Sequence, residues 1–196
     1  MLARSRRARN DRGMNLRPAR ESDFAPIVEL TNHYIVHTSI HFSYDPLTPG
    51  DMRSLWLRDR DRYPWVVAEI DGTFAGYAKA APWRERAAYQ WVAELGIYVA
   101  DRVHRTGVGS ALYTRLIDDC ARAGFDSVLG GITLPNEPSV RLHEKLGFIK
   151  VAHFPRVGYK LGAWYDVGFW QKFLRSTTPP PSSPAFEPAP PPLRVQ

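Results

Sequence analysis

The chain of 196 residues has one cysteine, Cys120. A single thiol excludes a disulfide framework, so the fold must rest on a packed core, and a reducing cytoplasm fits that usage. Cys120 lies in a helical pattern, where packing is the plainer role. Long apolar runs are also lacking: nothing approaches the roughly 20 residues of a membrane-spanning helix. The arginine-rich start has no apolar segment behind it, which argues against a secretory signal. Net positive charge is small in the body of the chain. The net charge is +6, but residues 1–13 hold five arginines against one aspartate, leaving two of the six charges to the rest. That weakens any nucleic-acid reading of the folded part. Residues 1–13 are expected to be a disordered arginine-rich segment; a transit peptide or a misassigned start before Met14 are the other readings.

Two phosphate motifs are missing as well. No lysine follows Gly109, which excludes a P-loop, and the third glycine of the Rossmann fingerprint is not there.

What is present reads as one α+β domain over residues 14–175. Apolar residues make up 44% and charged residues 23%, ordinary for a globular chain of this length. "MNLRPA" predicts a strand. A helix follows with Ser22 as N-cap and Ile27, Leu30, Tyr34 and Ile35 on one face. Leu47–Tyr63 predicts a second helix capped by Thr48. Val66–Ile70 and Phe74–Ala80 flank Asp71-Gly72, a hairpin signal. Tyr89–Ala100 predicts a strand, and Val108–Ala123 a helix with Leu112, Leu116 and Ile117 inward and Gly124 at its end. "FDSVLGGITL", a helix over "EPSVRLHEKLG", and strands over "FIKVAHF" and "WYDVGFWQKFL" complete the order. Residues 176–196 are dominated by proline and small polar residues, and are expected to be a disordered tail.

Four groups of residues carry chemistry. "HRTGVGSALY" puts two glycines between a strand and a helix. A helix N-terminus offers unpaired N–H groups and the positive end of its dipole, so it suits an anion. Gly107 and Gly109 allow close approach, Thr106 and Ser110 add hydroxyls, and Arg102, His104 and Arg105 lie beside them; a glycine-eased helix start with no ligand explains the same residues. Glu94 sits mid-strand between apolar neighbours, where partial burial would raise its pKa, although strands routinely expose glutamates. His143 is turned off the apolar face of its helix, either for chemistry or as a surface histidine. Arg84 and Arg86 offer forked donors for acid groups, or are solvated loop charges beside Glu85.

The spacing His104-x-x-Gly107-x-Gly109 resembles the Q/R-x-x-G-x-G/A signature of the GNAT superfamily of acyl-CoA-dependent N-acetyltransferases. "NEPSVRLHEKLGF" resembles that superfamily's second signature. "NHYI", "RYPWVVAE", "AAPWRERAAYQWVAELGIYV", "HRTGVGSALYTRL" and "WYDVGFWQ" extend the resemblance, over about residues 14 to 174, to the phosphinothricin N-acetyltransferase family.

This resemblance implies a GNAT fold, a twisted, mostly antiparallel sheet with flanking helices. It implies direct transfer from acetyl-CoA, in a ternary complex and without metal, to the free amine of a small acidic amino-acid analogue such as phosphinothricin, methionine sulfone or methionine sulfoximine. It makes Glu94 the general base and His143 a donor to the departing sulfur or to the oxyanion. The backbone of Ile97, Tyr98 and Val99 would pair with the pantetheine arm. His104, Arg105, Thr106, Gly107, Val108, Gly109 and Ser110 would meet the pyrophosphate, and Asn136 the arm near the thioester. Phe42, Arg84, Arg86 and Tyr89 would face the acceptor, and the enzyme would be a homodimer.

Several residues depart from the family pattern: His104 in the signature, Leu95-Gly96 after the glutamate, His37 and His41 near the pocket, and "LGAWYDV" in the last strand. Acetylation of a peptide N-terminus, or CoA binding without catalysis, are the alternatives. The presence of both Glu94 and His143 argues against the second.

Overall fold

The computed structural model describes residues 13–175; the expectations for the arginine-rich start, Gly13 apart, and for the proline-rich tail lie outside the described residues. Strands β1 (Met14–Pro18), β2 (Trp65–Ile70), β3 (Thr73–Pro82), β4 (Val92–Val99), β5 (Ser127–Leu134), β6 (Ile149–Lys160) and β7 (Ala163–Phe173) form one sheet. Its order is β1-β2-β3-β4-β5-β7-β6. Every neighbouring pair is antiparallel except β4 with β5. The helices are α1 (Phe24–His37), α2 (Pro49–Asp59), α3 (Val108–Ala123) and α4 (Glu137–Lys145).

Strand alternation divides the core into two layers. Trp65, Val67 and Tyr77 point to one face and pack with Phe24, Ile27 and Val28 of α1 and Met52 of α2. Val66, Ala68, Ala78, Ala80 and Ala93 point to the other, where α3 lays down Leu112, Leu116 and Ile117. The run of alanines lets α3 approach closely. Leu112 and Leu116 are fully buried, each stabilising the fold by roughly 1.5–3 kcal/mol. Cys120 is packed in the same layer, and burial pushes its thiol up.

Local signals account for most element ends. Asp71 and Gly72 both take positive φ, +50° and +75°, as a tight hairpin turn requires. Thr48 and Asp51 form a capping box at α2. Gly124 ends α3 in the left-handed region.

Four boundaries differ from expectation; α2 stops at Asp59, short of Tyr63. Ser22 is not a cap: it lies in a short 3-10 turn, Glu21–Asp23, and the Asp23 carboxylate accepts the Arg20 N–H while also pairing with Arg17. The strand expected from Tyr89 begins at Val92, because residues 87–89 form a 3-10 turn. β6 runs to Lys160, well past Phe154, with an irregular register between Phe154 and Gly158. No helix among the described residues is long and apolar enough to cross a membrane.

Candidate active site

β4 and β5 pair only over Val92–Glu94 against Ser127–Leu129. Beyond that point β4 continues to Val99 bonded to β3, and β5 continues to Leu134 bonded to β7. The two parallel strands therefore diverge into a wedge, and Glu94 is the last paired residue at its apex. One edge of β4, from Leu95 to Val99, faces this wedge. An unpaired strand edge takes an extended, amide-bearing ligand as an added strand. Crevices at the carboxyl ends of parallel strands are where open α/β sheets bind ligands.

The helices following these two strands begin at the mouth of the wedge. α3 has Gly107 at its N-cap with φ +97° and no side-chain cap. Its first N–H groups are free of side-chain acceptors, as an anion cradle needs. Arg105 is also left-handed, at φ +62°, and His104 to Gly107 are exposed. A Cβ at Gly109 would meet Val99, Ile97 and Leu142 only at 3.7–3.8 Å, ordinary contact, so protein packing does not demand a glycine there. His104 turns back from the loop: its Nε2 lies 3.0 Å from the Val99 carbonyl, which also accepts from the Tyr34 hydroxyl at 2.9 Å. Thr106 Oγ1 donates to the Val103 carbonyl. Asn136 caps α4, its side-chain oxygen accepting the Ser139 N–H at 3.2 Å. An uncapped helix start, a glycine not required by packing and an open strand edge fit the pyrophosphate and arm of coenzyme A.

Glu94 is half-buried, and burial raises its pKa against the opposing pull of Arg84 and Lys79. Its Oε1 stands close to β5: a Cβ at Gly131 would lie 3.1 Å away, and 3.2 Å from Phe169. Glu94, Gly96 and Tyr98 share the α1–α2 face, since Tyr98 stacks on Tyr77 at 5.3 Å.

His143 is not a surface histidine; it is 2% exposed. Leu142 faces α3, and the next residue turns inward beneath β5. The His143 Nδ1 lies 2.8 Å from the Ser139 carbonyl and so carries the proton donated there. Nε2 is then a bare acceptor, 3.1 Å from the Tyr113 hydroxyl, which also reaches the Leu95 carbonyl at 3.3 Å. Burial lowers the His143 pKa, so the ring is neutral. The imidazole sits edge-on between the rings of Tyr113 and Phe148.

The residues expected to face an acceptor fall into two clusters. Arg84 lies over the Trp83 ring at 5.2 Å, Tyr89 packs edge-on against the same ring, and Arg86 is exposed beside them. Arg84 acts on the Glu94 carboxylate, whereas Arg86 is not among the groups that do. Phe42 belongs to the other cluster. It covers Gly158 of β6, where a Cβ would fall 2.2 Å from its ring. Lys160 ties this loop down by donating to the carbonyls of Ile35 and His41, and is 3% exposed. His41 packs by Tyr98 at 6.1 Å; burial, Lys79 and Lys160 push its pKa down to about 4. His37 lies at the end of α1 against His33.

Tyr113, Lys79, Lys160 and Gly130 were not singled out from the sequence. Lys79 has a readable signal, since strand alternation puts it on the face of Tyr77. Tyr113 and Lys160 have none: each owes its place to contacts between elements distant in the chain.

The matches to known proteins agree with this geometry. Residues 28–148 match the model of the Acetyltransferase (GNAT) family. The phosphinothricin N-acetyltransferase of Streptomyces viridochromogenes is 45% identical over 169 residues, 86% of this chain and 92% of that protein. The L-methionine sulfoximine/L-methionine sulfone acetyltransferase of Salmonella typhimurium is 36% identical, covering 81% of this chain and 93% of that protein. A phosphinothricin acetyltransferase of Sinorhizobium meliloti solved with acetyl-CoA superposes with a TM-score of 0.83 at 28% identity, over 88% of this chain and 95% of that one. The fold and its wedge define an acyltransferase of the GNAT class. Within it, the chain belongs to the phosphinothricin N-acetyltransferase family.

Proposed function

We propose that this enzyme moves the acetyl group of acetyl-CoA to the free amine of a small acidic amino acid of the phosphinothricin or methionine sulfone type. The observation that carries this reading is Glu94 at the apex of the β4–β5 wedge, half-buried and beside the open edge of β4.

The α3 N-terminus, with His104, Arg105, Thr106, Gly107, Val108, Gly109 and Ser110, would hold the pyrophosphate. The backbone of Ile97, Tyr98 and Val99 would pair with the arm, and the Asn136 amide would meet it near the thioester. The acceptor amine enters protonated, and Glu94 takes that proton directly or through one water. The freed nitrogen attacks the thioester carbon; a C–N bond forms, the C–S bond breaks, and the second amine proton passes to the departing sulfur, which leaves as the thiol. His143, neutral with its Nδ1 proton donated to the Ser139 carbonyl, has no proton to give at Nε2, so in place of the expected donor role it positions the Tyr113 hydroxyl. Arg84, Arg86, Tyr89 and Phe42 frame the acceptor.

We also propose a homodimer. Val151, Phe154, Val157 and Tyr159 on the outer strand, and Trp164 on β7, are between 47% and 53% exposed, an apolar surface that a second copy would cover. Sedimentation should give twice the chain mass.

The test is thiol release from acetyl-CoA against phosphinothricin, methionine sulfone, common amino acids, polyamines and short peptides. Turnover with the first two is expected. Turnover with peptides alone would favour peptide N-terminal acetylation, and tight acetyl-CoA binding without turnover would favour a non-catalytic module.

A further inference from the structure

Lys79 stands two residues beyond Tyr77 on β3 and therefore on the acceptor face. Its cross-strand partner is Gly96. The absent side chain at 96 leaves room for the lysine stem, whose Cγ is 3.9 Å from where a Cβ would be. Glu94 is the diagonal neighbour on the same face, a separation that long side chains bridge. The Lys79 ammonium lies 5.0 Å from the centre of the Trp65 ring. Among the described residues it makes no hydrogen bond and no ion pair within 4.0 Å.

Three of the other basic groups on this wall are committed, whereas Arg84 at its mouth rests only over the Trp83 ring. Lys160 donates to two backbone carbonyls, and His41 is held neutral. Arg58 pairs with Asp59. Burial lowers the Lys79 pKa, opposed by the more distant carboxylates of Asp59 and Glu94. A half-buried ammonium with free donors is a costly arrangement until an anion completes it.

We propose that Lys79 receives a side-chain acid group of the acceptor, and so selects amino acids with a second anionic group over those whose only acid is the α-carboxylate. This rests on the amino-acid acetyl transfer argued above. The arrangement also links selection to chemistry. Lys79 is one of two cations opposing the rise in the Glu94 pKa. An anion on Lys79 offsets that field, and the carboxylate becomes a stronger base when an acidic acceptor is seated.

Phosphinothricin and methionine sulfone separate the cases, because the first carries a phosphinate where the second carries a neutral sulfone. Thiol release is measured for both acceptors with the wild type, Lys79→Met, Lys79→Gln and Lys79→Arg. Acetyl-CoA titration and melting curves on each variant identify any that fails to fold, and the glutamine variant is read if the methionine variant does. The wild type should favour phosphinothricin. In the neutral variants the ratio of kcat/KM for phosphinothricin to that for methionine sulfone should fall about 10- to 100-fold, the range of one hydrogen bond to a charged group. Lys79→Arg should restore most of that ratio. An unchanged ratio in both neutral variants would overturn the role of Lys79 and leave the acetyl transfer standing. No turnover of either acceptor by the wild type would instead overturn the acetyl transfer, and the selectivity with it.

Discussion

The imidazole of His143 occupies the space that any side chain at position 130 would need: a Cβ on Gly130 would fall 2.2 Å from Nε2. The glycine is thus a cavity for the histidine, one residue past the last paired position of the wedge. Gly130→Ala should push the ring off the Tyr113 hydroxyl. A misplacement of this kind lowers kcat by about 100-fold, while acetyl-CoA affinity changes far less. Steady-state kinetics with calorimetric titration of acetyl-CoA checks this, and unchanged kcat would remove the Tyr113–His143 pair from the chemistry.

Glu94→Gln should keep acetyl-CoA affinity and lose about 100- to 10,000-fold in turnover near neutral pH. The same carboxylate has a folding signature. Its folded pKa is raised by burial, so the stability it contributes is complete below the unfolded carboxylate pKa and declines as pH rises through the raised value. The glutamine variant should therefore melt no lower than wild type at pH 7. A markedly lower melting temperature would mean that Glu94 is held by an ion pair worth more than its burial.

Arg84 and Arg86 should separate in a pH profile. Arg84 favours the charged form of Glu94, so Arg84→Ala raises the Glu94 pKa further and moves the acid limb of kcat/KM to higher pH. Arg86→Ala should leave that limb in place and act only on the KM of acidic acceptors. The same limb position in both variants would argue against Arg84 lying within the field of the base.

Lys160→Met tests the loop that carries Phe42. The substitution leaves the carbonyls of Ile35 and His41 without their donor, at roughly 1–3 kcal/mol for each buried acceptor left unsatisfied. Loss of the buried charge offsets part of this. Thermal melts should show a net destabilisation, and the KM for the acceptor should rise more than that for acetyl-CoA. Equal effects on the two KM values would place the loop outside the acceptor pocket.

Much of this architecture was legible because its signals are local. The Asp71-Gly72 turn, the Thr48 cap, the α3 stripe of Leu112, Leu116 and Ile117, and the glycine turn at 107–109 each follow from the conformational needs of a few adjacent residues. The misread boundaries have competing local chemistry. Asp23 took the Arg20 N–H that the Ser22 reading left out of account, and the 3-10 turn at 87–89 absorbed the start of a strand. The burial of His143 was left open for a different reason. Helical spacing puts it off the Leu142–Leu146 stripe, but a short helix under a sheet is contacted on more than one side, so leaving the stripe did not mean reaching water.

By itself, then, the sequence determined the order of elements, the anion-ready start of α3 and the family, all properties carried by contiguous residues and their spacing. Only the tertiary structure decided that β4 and β5 part at Glu94, that His143 is buried and neutral beneath Gly130, and that Lys79 stands without a hydrogen-bond partner beside Glu94. Strand pairing and burial depend on residues far apart in the chain. The pKa of Glu94 and the state of Lys79 depend in turn on that burial, because desolvation is set by what surrounds a group in space.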